Sequence, residues 1–261
     1  MRKRPPVVIV ILAACALLLL VLPVIGLLER APWSQLGHEL VARDVRTAVR
    51  LSLVTSLSAA AFALLLGAPL AWVLARVDFR GKTAVRALAL LPLVLPPVVG
   101  GVALLFAFGR TGLVGSWLAH AGIVLPFTTA GAIVAELFVA MPFAVITVEA
   151  GVRALDGRLE EAAATLGAGP WFTLRRVVLP ALAPSVAAAA ALCWARALGE
   201  FGATITFAGN LPGRTQTLPL AVYLELQQRP GVAVLLSLVL LVLSVGVLVL
   251  LRGRWLTPRQ R

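Results

Sequence analysis

Long apolar stretches of about 20 residues recur along the chain and are separated by shorter polar segments. A helix of that length crosses the hydrocarbon core of a bilayer and satisfies its own backbone hydrogen bonds there. The pattern therefore predicts an all-α, polytopic membrane helix bundle that forms a single transmembrane domain over residues 1–261. Six transmembrane helices are expected, over Val7–Leu28, Leu51–Ala75, Ala87–Phe108, Thr128–Glu149, Ala181–Gly199 and Val232–Leu251.

The distribution of positive charge predicts how this bundle is oriented. The chain carries 23 Lys and Arg residues against 11 Asp and Glu residues. The positive residues concentrate within 2–4, 76–86, 153–176 and 252–261. Cytoplasmic loops hold the excess of Lys and Arg in membrane proteins, so we expect a multi-pass protein of the cytoplasmic (inner) membrane with both termini inside. The basic balance is then a signal of topology in the lipid bilayer, and no nucleic acid is expected as a partner.

The first apolar stretch has a second interpretation, a cleaved signal peptide, because Arg2, Lys3 and Arg4 precede it. The stretch is too long for the apolar core of a signal peptide, and no small-x-small cleavage pattern follows Leu28. We therefore expect an uncleaved first span. Its uniformly aliphatic sequence favours a peripheral, lipid-facing position.

The sequence has no arrangement typical of catalysis, metal binding or nucleotide binding. Gly81-Lys82-Thr83 lacks the earlier glycine of a phosphate-binding loop, because Arg76 stands at that position. The cysteines and histidines are too scattered for a disulfide framework or a metal cluster. They are Cys15, Cys193, His38 and His120. We expect a transport subunit rather than an enzyme, with no catalytic residue, metal or cofactor of its own.

The third predicted span contains three prolines, Pro92, Pro96 and Pro97, followed by Gly100-Gly101. Each proline removes a backbone donor and leaves a carbonyl unpaired. Lipid tolerates such a break only where protein or a wet cavity covers it. The span is therefore either a kinked helix that lines or gates a pathway, or a helix whose kink is buried against its neighbours.

A polar, glycine-rich segment begins inside the fifth predicted span and continues to Asn210. Arg196 and Glu200 lie one helical turn apart and can form an ion pair. Thr204, Thr206 and Asn210 add neutral polar groups, which can attract a tetrahedral oxyanion weakly enough to release it. Charges at membrane depth usually face a bundle interior or water, which favours a pathway. The alternative is a helix cap at the extracytoplasmic surface.

Residues 156–180 are too polar for a span and too regular for a random loop. Asp156 can cap a short helix over Arg158–Leu166, and Gly167 can end that helix in a left-handed conformation. A second helix over Pro170–Leu179 follows, with proline at its first position. The pattern predicts a compact helix-turn-helix at the membrane face, shaped to dock into another protein.

This segment resembles the EAA loop of ABC importer permeases, in which Glu-Ala-Ala is followed by Gly after three residues and by Ile-x-Leu-Pro after nine more. The matching residues are Glu161, Ala162, Ala163, Gly167, Val177, Leu179 and Pro180. The resemblance implies a type I ABC importer permease. In such a protein Glu161 would anchor the docking helix, and Ala162 and Ala163 would leave room for side chains of a cytosolic ATPase.

Four other stretches are similar to the permeases of molybdate importers, namely Leu90–Gly100, Thr165–Trp171, Ala195–Phe207 and Asn210–Tyr223. The similarity implies a second copy of the chain, a dimer of cytosolic ABC ATPases that binds ATP and Mg, and an extracytoplasmic oxyanion-binding protein. It also implies that molybdate passes between the third and fifth spans of both copies. The candidate pathway residues are Pro96, Pro97, Arg196, Glu200, Thr204, Thr206 and Asn210.

Three alternatives remain open at this point. Sulfate importer permeases share the pattern Ala-Arg-x-Leu/Ile-Gly-Glu-Phe-Gly, so the transported anion could be sulfate or tungstate. An ion-gradient-driven transporter would use Glu136 and Glu149 of the fourth span as proton carriers, whereas we expect Glu136 to form a hydrogen bond or ion pair between helices. A membrane anchor without transport would leave the glycine-rich segment of the fifth span unexplained.

Overall fold

The chain folds into a bundle of α-helices of very different lengths. The computed structural model describes residues 6–34, 37 and 41–255, and no strand occurs among them. The positive residues at 2–4 and 259–261, and His38, lie outside the described residues. The helices are α1 Val7–Glu29, α2 Arg43–Arg76, α3 Lys82–Val94, α4 Pro97–Phe108, α5 Gly115–His120, α6 Thr129–Ala154, α7 Arg158–Thr165, α8 Pro170–Leu198, α9 Gly202–Phe207, α10 Leu218–Gln228 and α11 Pro230–Trp255.

Five helices in the described part of the chain are long and apolar enough to cross a membrane: α1, α2, α6, α8 and the Pro230–Val247 portion of α11. They correspond to five of the six predicted spans. The third predicted span, Ala87–Phe108, is not a single long helix: the chain there forms α3 and α4, and the kink expected from its prolines is a full break. Leu95 and Pro96 both have ψ of 133°, an extended conformation. A residue that precedes proline is pushed out of the helical region by the proline ring, and here two prolines follow in succession.

The centre of the bundle is formed by α2, α6 and α8, which meet through small side chains. Ala59, Ala63, Ala140 and Ala144 are fully buried between these helices. A Cβ atom added at Gly67 of α2 would lie 2.8 Å from the Cβ of Ala144. Helices in lipid gain little from hydrophobic transfer, so close packing of small residues is the main source of their association.

Polar side chains also join these helices inside the bundle. The Thr55 hydroxyl of α2 donates to Oε1 of the buried Glu136 of α6 at 2.8 Å, which confirms the predicted hydrogen bond between helices. Near the other end of α6, Glu149 Oε1 accepts from Arg86 at 2.6 Å and from Arg153 at 2.8 Å. Glu149 is buried by this double ion pair and is not a free group at the membrane interface. In contrast, α1 contains no buried residue, as its aliphatic sequence predicts.

Candidate coupling loop and translocation site

The loop between α6 and α8 has the cap geometry that its sequence predicts. Asp156 Oδ1 accepts a hydrogen bond from the Arg158 backbone N–H at 3.0 Å, at the start of α7. At the other end, Gly167 has φ of +80°, and the Ala168 N–H donates to the carbonyl of Ala163 at 3.0 Å. This is the Schellman arrangement, which closes a helix with glycine in the left-handed region. The predicted short helix and its stop are confirmed.

The second helix of this loop is longer than predicted. It begins at Pro170, but it continues past the predicted end at Leu179 and forms α8 as far as Leu198. A π-helical turn over Leu174–Val178 precedes Pro180, and the Leu179 N–H donates to the carbonyl of Leu174. The wider turn shifts the hydrogen-bond register, which accommodates the ring and the missing N–H of Pro180 without ending the helix. The membrane span and the second docking helix are therefore one rod.

The loop presents an apolar surface away from the bundle. Leu166 is 88% exposed and Trp171 is 66% exposed, and Phe172 is also exposed. A cavity of about 590 Å³ lies between the two helices, with Ala162 and Ala163 in its lining. Exposed apolar surface in a polar loop marks a site of interaction. Glu161, Leu179 and Pro180 are exposed as well, whereas Ala163 is buried.

One ion pair connects α7 to the bundle. Arg76, at the end of α2, donates to Glu160 Oε1 at 2.7 Å. The Arg76 guanidinium also lies over the Trp72 ring, 5.7 Å from its centroid. A cavity of about 290 Å³ lies beside this contact, lined by Trp72, Glu160 and Leu174 among others. The sequence carries no local signal for this pair, because the two residues are 84 positions apart and Arg76 lies in a group of positive residues typical of a cytoplasmic loop.

The polar segment of the fifth span contains the predicted ion pair. Arg196 Nη1 and Glu200 Oε2 are 2.6 Å apart, at the junction of α8 and α9. Glu200 is buried, and its second oxygen accepts from the Ala203 N–H at 2.8 Å at the start of α9. The arginine charge is thereby neutralised, and both carboxylate oxygens of Glu200 are engaged.

The three neutral polar residues of this segment differ in their environments. Thr204 is fully buried, and its hydroxyl has no hydrogen-bond partner among the described residues. The Thr206 hydroxyl donates to the Gly202 carbonyl of its own helix at 2.7 Å. Asn210 reaches the Leu220 carbonyl with its side-chain nitrogen at 3.4 Å. The Thr204 hydroxyl and the Asn210 Oδ1 both lack a partner among the described residues, and of these two groups only the hydroxyl is a donor.

The structure brings the third and fifth spans together through α4 and α9. A Cβ atom at Gly101 would lie 2.6 Å from the Thr206 Cβ, and one at Gly202 would lie 2.7 Å from the Pro97 Cβ. The glycines therefore allow direct backbone contact between the two spans. Pro96 and Pro97 are exposed on the surface of the protomer, at the break between α3 and α4.

Comparison with known proteins gives the same architecture. Residues 63–261 match the family described as binding-protein-dependent transport system inner membrane component. The chain is 45% identical to the molybdenum transport system permease protein ModB of Mycobacterium tuberculosis over 225 residues, which are 86% of this chain and 85% of the relative. It is 37% identical to the sulfate transport system permease protein CysT of Escherichia coli over 226 residues, 85% of this chain and 82% of the relative.

The fold is similar to a chain in the crystal structure of a bacterial ABC transporter involved in the import of the acidic polysaccharide alginate. The TM-score is 0.71 at 20% sequence identity, over 94% of this chain and 92% of the other. The fold is thus that of ABC importer permeases, as the resemblance of the EAA-like loop implies. This protein belongs to the family of binding-protein-dependent transport system inner membrane components.

Proposed function

We propose that the chain is the permease subunit of an ATP-driven importer that moves molybdate across the cytoplasmic membrane, with both of its termini in the cytoplasm. The 45% identity to a molybdenum transport permease supports this substrate. Sulfate is the second candidate, because a sulfate transport permease is 37% identical over a similar share of the chain. Tungstate, which is a tetrahedral divalent anion like molybdate, remains a third.

The observation that carries the proposal is the helical hairpin of α7 and the start of α8. Its exposed Leu166 and Phe172 line a cavity that can receive a side chain of a partner, and Trp171, next to Phe172 in the chain, is exposed as well. We infer that the partner is a cytosolic ATPase dimer, which holds ATP and Mg on its own chains. Because α8 continues from Pro170 into the membrane core, a displacement at the hairpin is transmitted directly to the segment around Arg196.

A second copy of the chain would complete the pathway. The broken backbone between α3 and α4 lies on the protomer surface, where Val94 is 83% exposed and Pro96 and Pro97 are also exposed. Irregular backbone at membrane depth must be covered by protein or line a water-filled cavity. In a homodimer with the two breaks facing a common axis, the broken backbone of each copy is covered by the other copy or lines the water-filled pathway between them. This arrangement also places α4 and α9 of each copy beside the pathway.

The polar groups at the junction of α8 and α9 suit transient, weak binding of an anion. Arg196 is neutralised by Glu200, so it does not form a strong fixed site for a divalent anion. The unengaged Thr204 hydroxyl is a neutral donor near the same helix junction. We infer that movement of α8 alternately exposes this donor to the two sides of the membrane. Such a change requires two packings of the helices that nucleotide binding on the ATPase favours to different extents.

The test is ATP hydrolysis and uptake by the reconstituted complex of permease, ATPase and binding protein. We expect molybdate-loaded binding protein to stimulate hydrolysis more than sulfate-loaded or empty binding protein does. Ala163→Glu, which fills the hairpin cavity, should abolish association with the ATPase while the permease still inserts in the membrane. Uptake that continues without ATP and collapses with an uncoupler would instead indicate an ion-gradient-driven transporter.

A further inference from the structure

A second large cavity lies at the end of the bundle opposite the hairpin. It has a volume of about 680 Å³ and is formed by the end of α4, the segment before α6 and the loop before α10. The 26-residue α6 separates it from the hairpin by about 39 Å, at 1.5 Å per residue. In the proposed orientation this cavity opens on the extracytoplasmic side.

The lining of this outer cavity carries positive charge without a carboxylate. Arg110 and Arg214 both line it and both are exposed, and neither forms an ion pair with any residue that the structure describes. The other polar side chains of the lining are Thr111 and Thr128, which are neutral. Two unpaired guanidinium groups in one concave site favour a partner that supplies carboxylates, to which arginine donates paired hydrogen bonds.

The cavity also has aromatic walls that are held in place. Phe127 has φ of 59°, a left-handed conformation that is strained for a bulky residue, yet the residue is 54% exposed. A Cβ atom at Gly209 would lie 2.9 Å from the Phe127 ring, so glycine there makes room for the ring. Strained residues persist where the surrounding structure fixes them, and they cluster at functional sites. Phe106, on the same cavity, is 74% exposed.

Hydrogen bonds join the parts of this cavity into one unit. Thr128 accepts from the Gly131 N–H at 3.1 Å and donates to the Leu125 carbonyl at 2.6 Å, which fixes the segment that carries Phe127. The Thr129 hydroxyl donates to the Arg214 carbonyl at 2.8 Å, which ties the loop before α10 to α6. The backbone that carries Phe127 and Arg214 is therefore already arranged before any partner binds.

We propose that this outer cavity is the docking site for an acidic, partly apolar projection of the extracytoplasmic binding protein. Carboxylates of that projection pair with Arg110 and Arg214, and its apolar side chains pack on Phe106 and Phe127. Arginine and aromatic residues dominate the binding energy of protein interfaces. The volume is many times that of a tetrahedral oxyanion, which favours a protein segment over the free anion. The inference rests on the proposed importer function.

The experiment measures the dissociation constant of the binding protein on nanodiscs that contain the permease–ATPase complex, at several salt concentrations. The double variant Arg110→Gln, Arg214→Gln should raise Kd at least ten-fold at low salt and flatten its dependence on salt. Arg46→Gln is the matched control, because Arg46 is an exposed arginine at the same end of the bundle and does not line the cavity. It should change Kd less than two-fold.

Phe127→Gly separates docking from folding. Glycine adopts a φ of 59° without strain, so this variant should insert and assemble at least as well as the wild type. It should nevertheless dock several-fold more weakly, because the ring is gone. An unchanged Kd in the double arginine variant would overturn the proposal. If uptake by that variant were slowed at unchanged Kd, the two arginines would act on the transported anion instead. Failure of the wild-type complex to bind any oxyanion-binding protein would instead refute the importer function.

Discussion

Arg76 and Glu160 form an ion pair of 2.7 Å that joins the end of α2 to the coupling helix α7. Arg76 belongs to a helix that packs in the centre of the bundle, whereas Glu160 lies one residue before the Glu161-Ala162-Ala163 motif. Both side chains are about one third exposed, so the pair contributes at most about 1 kcal/mol to stability. Its importance is positional, because it fixes α7 relative to the membrane helices.

We predict that Arg76→Glu and Glu160→Arg each reduce the number of anions imported per ATP hydrolysed, because the hairpin then moves without the bundle. The double variant Arg76→Glu, Glu160→Arg restores the attraction with reversed polarity and should recover most of the coupling. Uptake and ATP hydrolysis are measured together in proteoliposomes. Arg80→Glu is the control for a change in net charge, because Arg80 is an exposed arginine in the following loop. Single variants that couple normally would contradict the positional role.

Gly167 should tolerate only residues that adopt the left-handed region. No atom lies within 4 Å of a Cβ added there, so the cost of Gly167→Ala comes from φ of +80° alone, about 1–2 kcal/mol. Gly167→Asn should cost less, since asparagine enters this region more readily than alanine. The measurement is the amount of ATPase that co-purifies with each variant. Gly169→Ala is the matched control, because Gly169 has φ of −71° and equally open surroundings. Equal co-purification of all three variants would show that the turn is not needed.

Thr204→Val should raise the melting temperature of the purified permease slightly while it slows uptake. A buried hydroxyl without a partner costs about 1–3 kcal/mol, and valine has a similar shape without that group. Uptake falls because the neutral donor for the anion is lost, and combination with Thr206→Val should slow it further without loss of ATPase binding. Thr47→Val is the control, since that hydroxyl donates to the Arg43 carbonyl of its own helix. Unchanged uptake in the double variant would show that the anion does not pass Thr204 and Thr206.

Gly101→Ala should separate α4 from α9. The added Cβ would lie 2.6 Å from the Thr206 Cβ and 2.9 Å from the Ala203 carbonyl oxygen, and backbone cannot give way as a flexible side chain does. Such overpacking costs about 1–3 kcal/mol and should lower the melting temperature. Gly246→Ala in α11 has nothing within 4 Å of the new Cβ and should be neutral or stabilising. A melting temperature for Gly101→Ala equal to that of Gly246→Ala would contradict the close approach.

Glu136 is expected to have a structural role rather than a role as a proton carrier. Thr55→Val would remove the only described hydrogen bond of its carboxyl group, and it should destabilise the permease by about 1–3 kcal/mol. Glu136→Gln keeps an acceptor for the Thr55 hydroxyl and should support ATP-dependent uptake that an uncoupler does not affect. Loss of uptake in Glu136→Gln at normal expression would favour a proton-coupled mechanism.

Local patterns were enough for features that depend on neighbouring residues. Apolar length identified five membrane helices, because the requirement to span lipid acts on each segment separately. The cap at Asp156 and the left-handed stop at Gly167 followed from residue preferences within one helical turn. The Arg196–Glu200 pair was also accessible, since four residues of helix place the two side chains together.

Tertiary structure decided the features that depend on distant parts of the chain. Pro92, Pro96 and Pro97 indicated a kink, but only the packing of α4 on α9 distinguished a full break from a bent helix. The pairing of Arg76 with Glu160 across 84 residues and the burial of Thr204 left no local signal. The physical reason is that a helix pattern fixes which face is apolar, whereas the fold decides what that face meets.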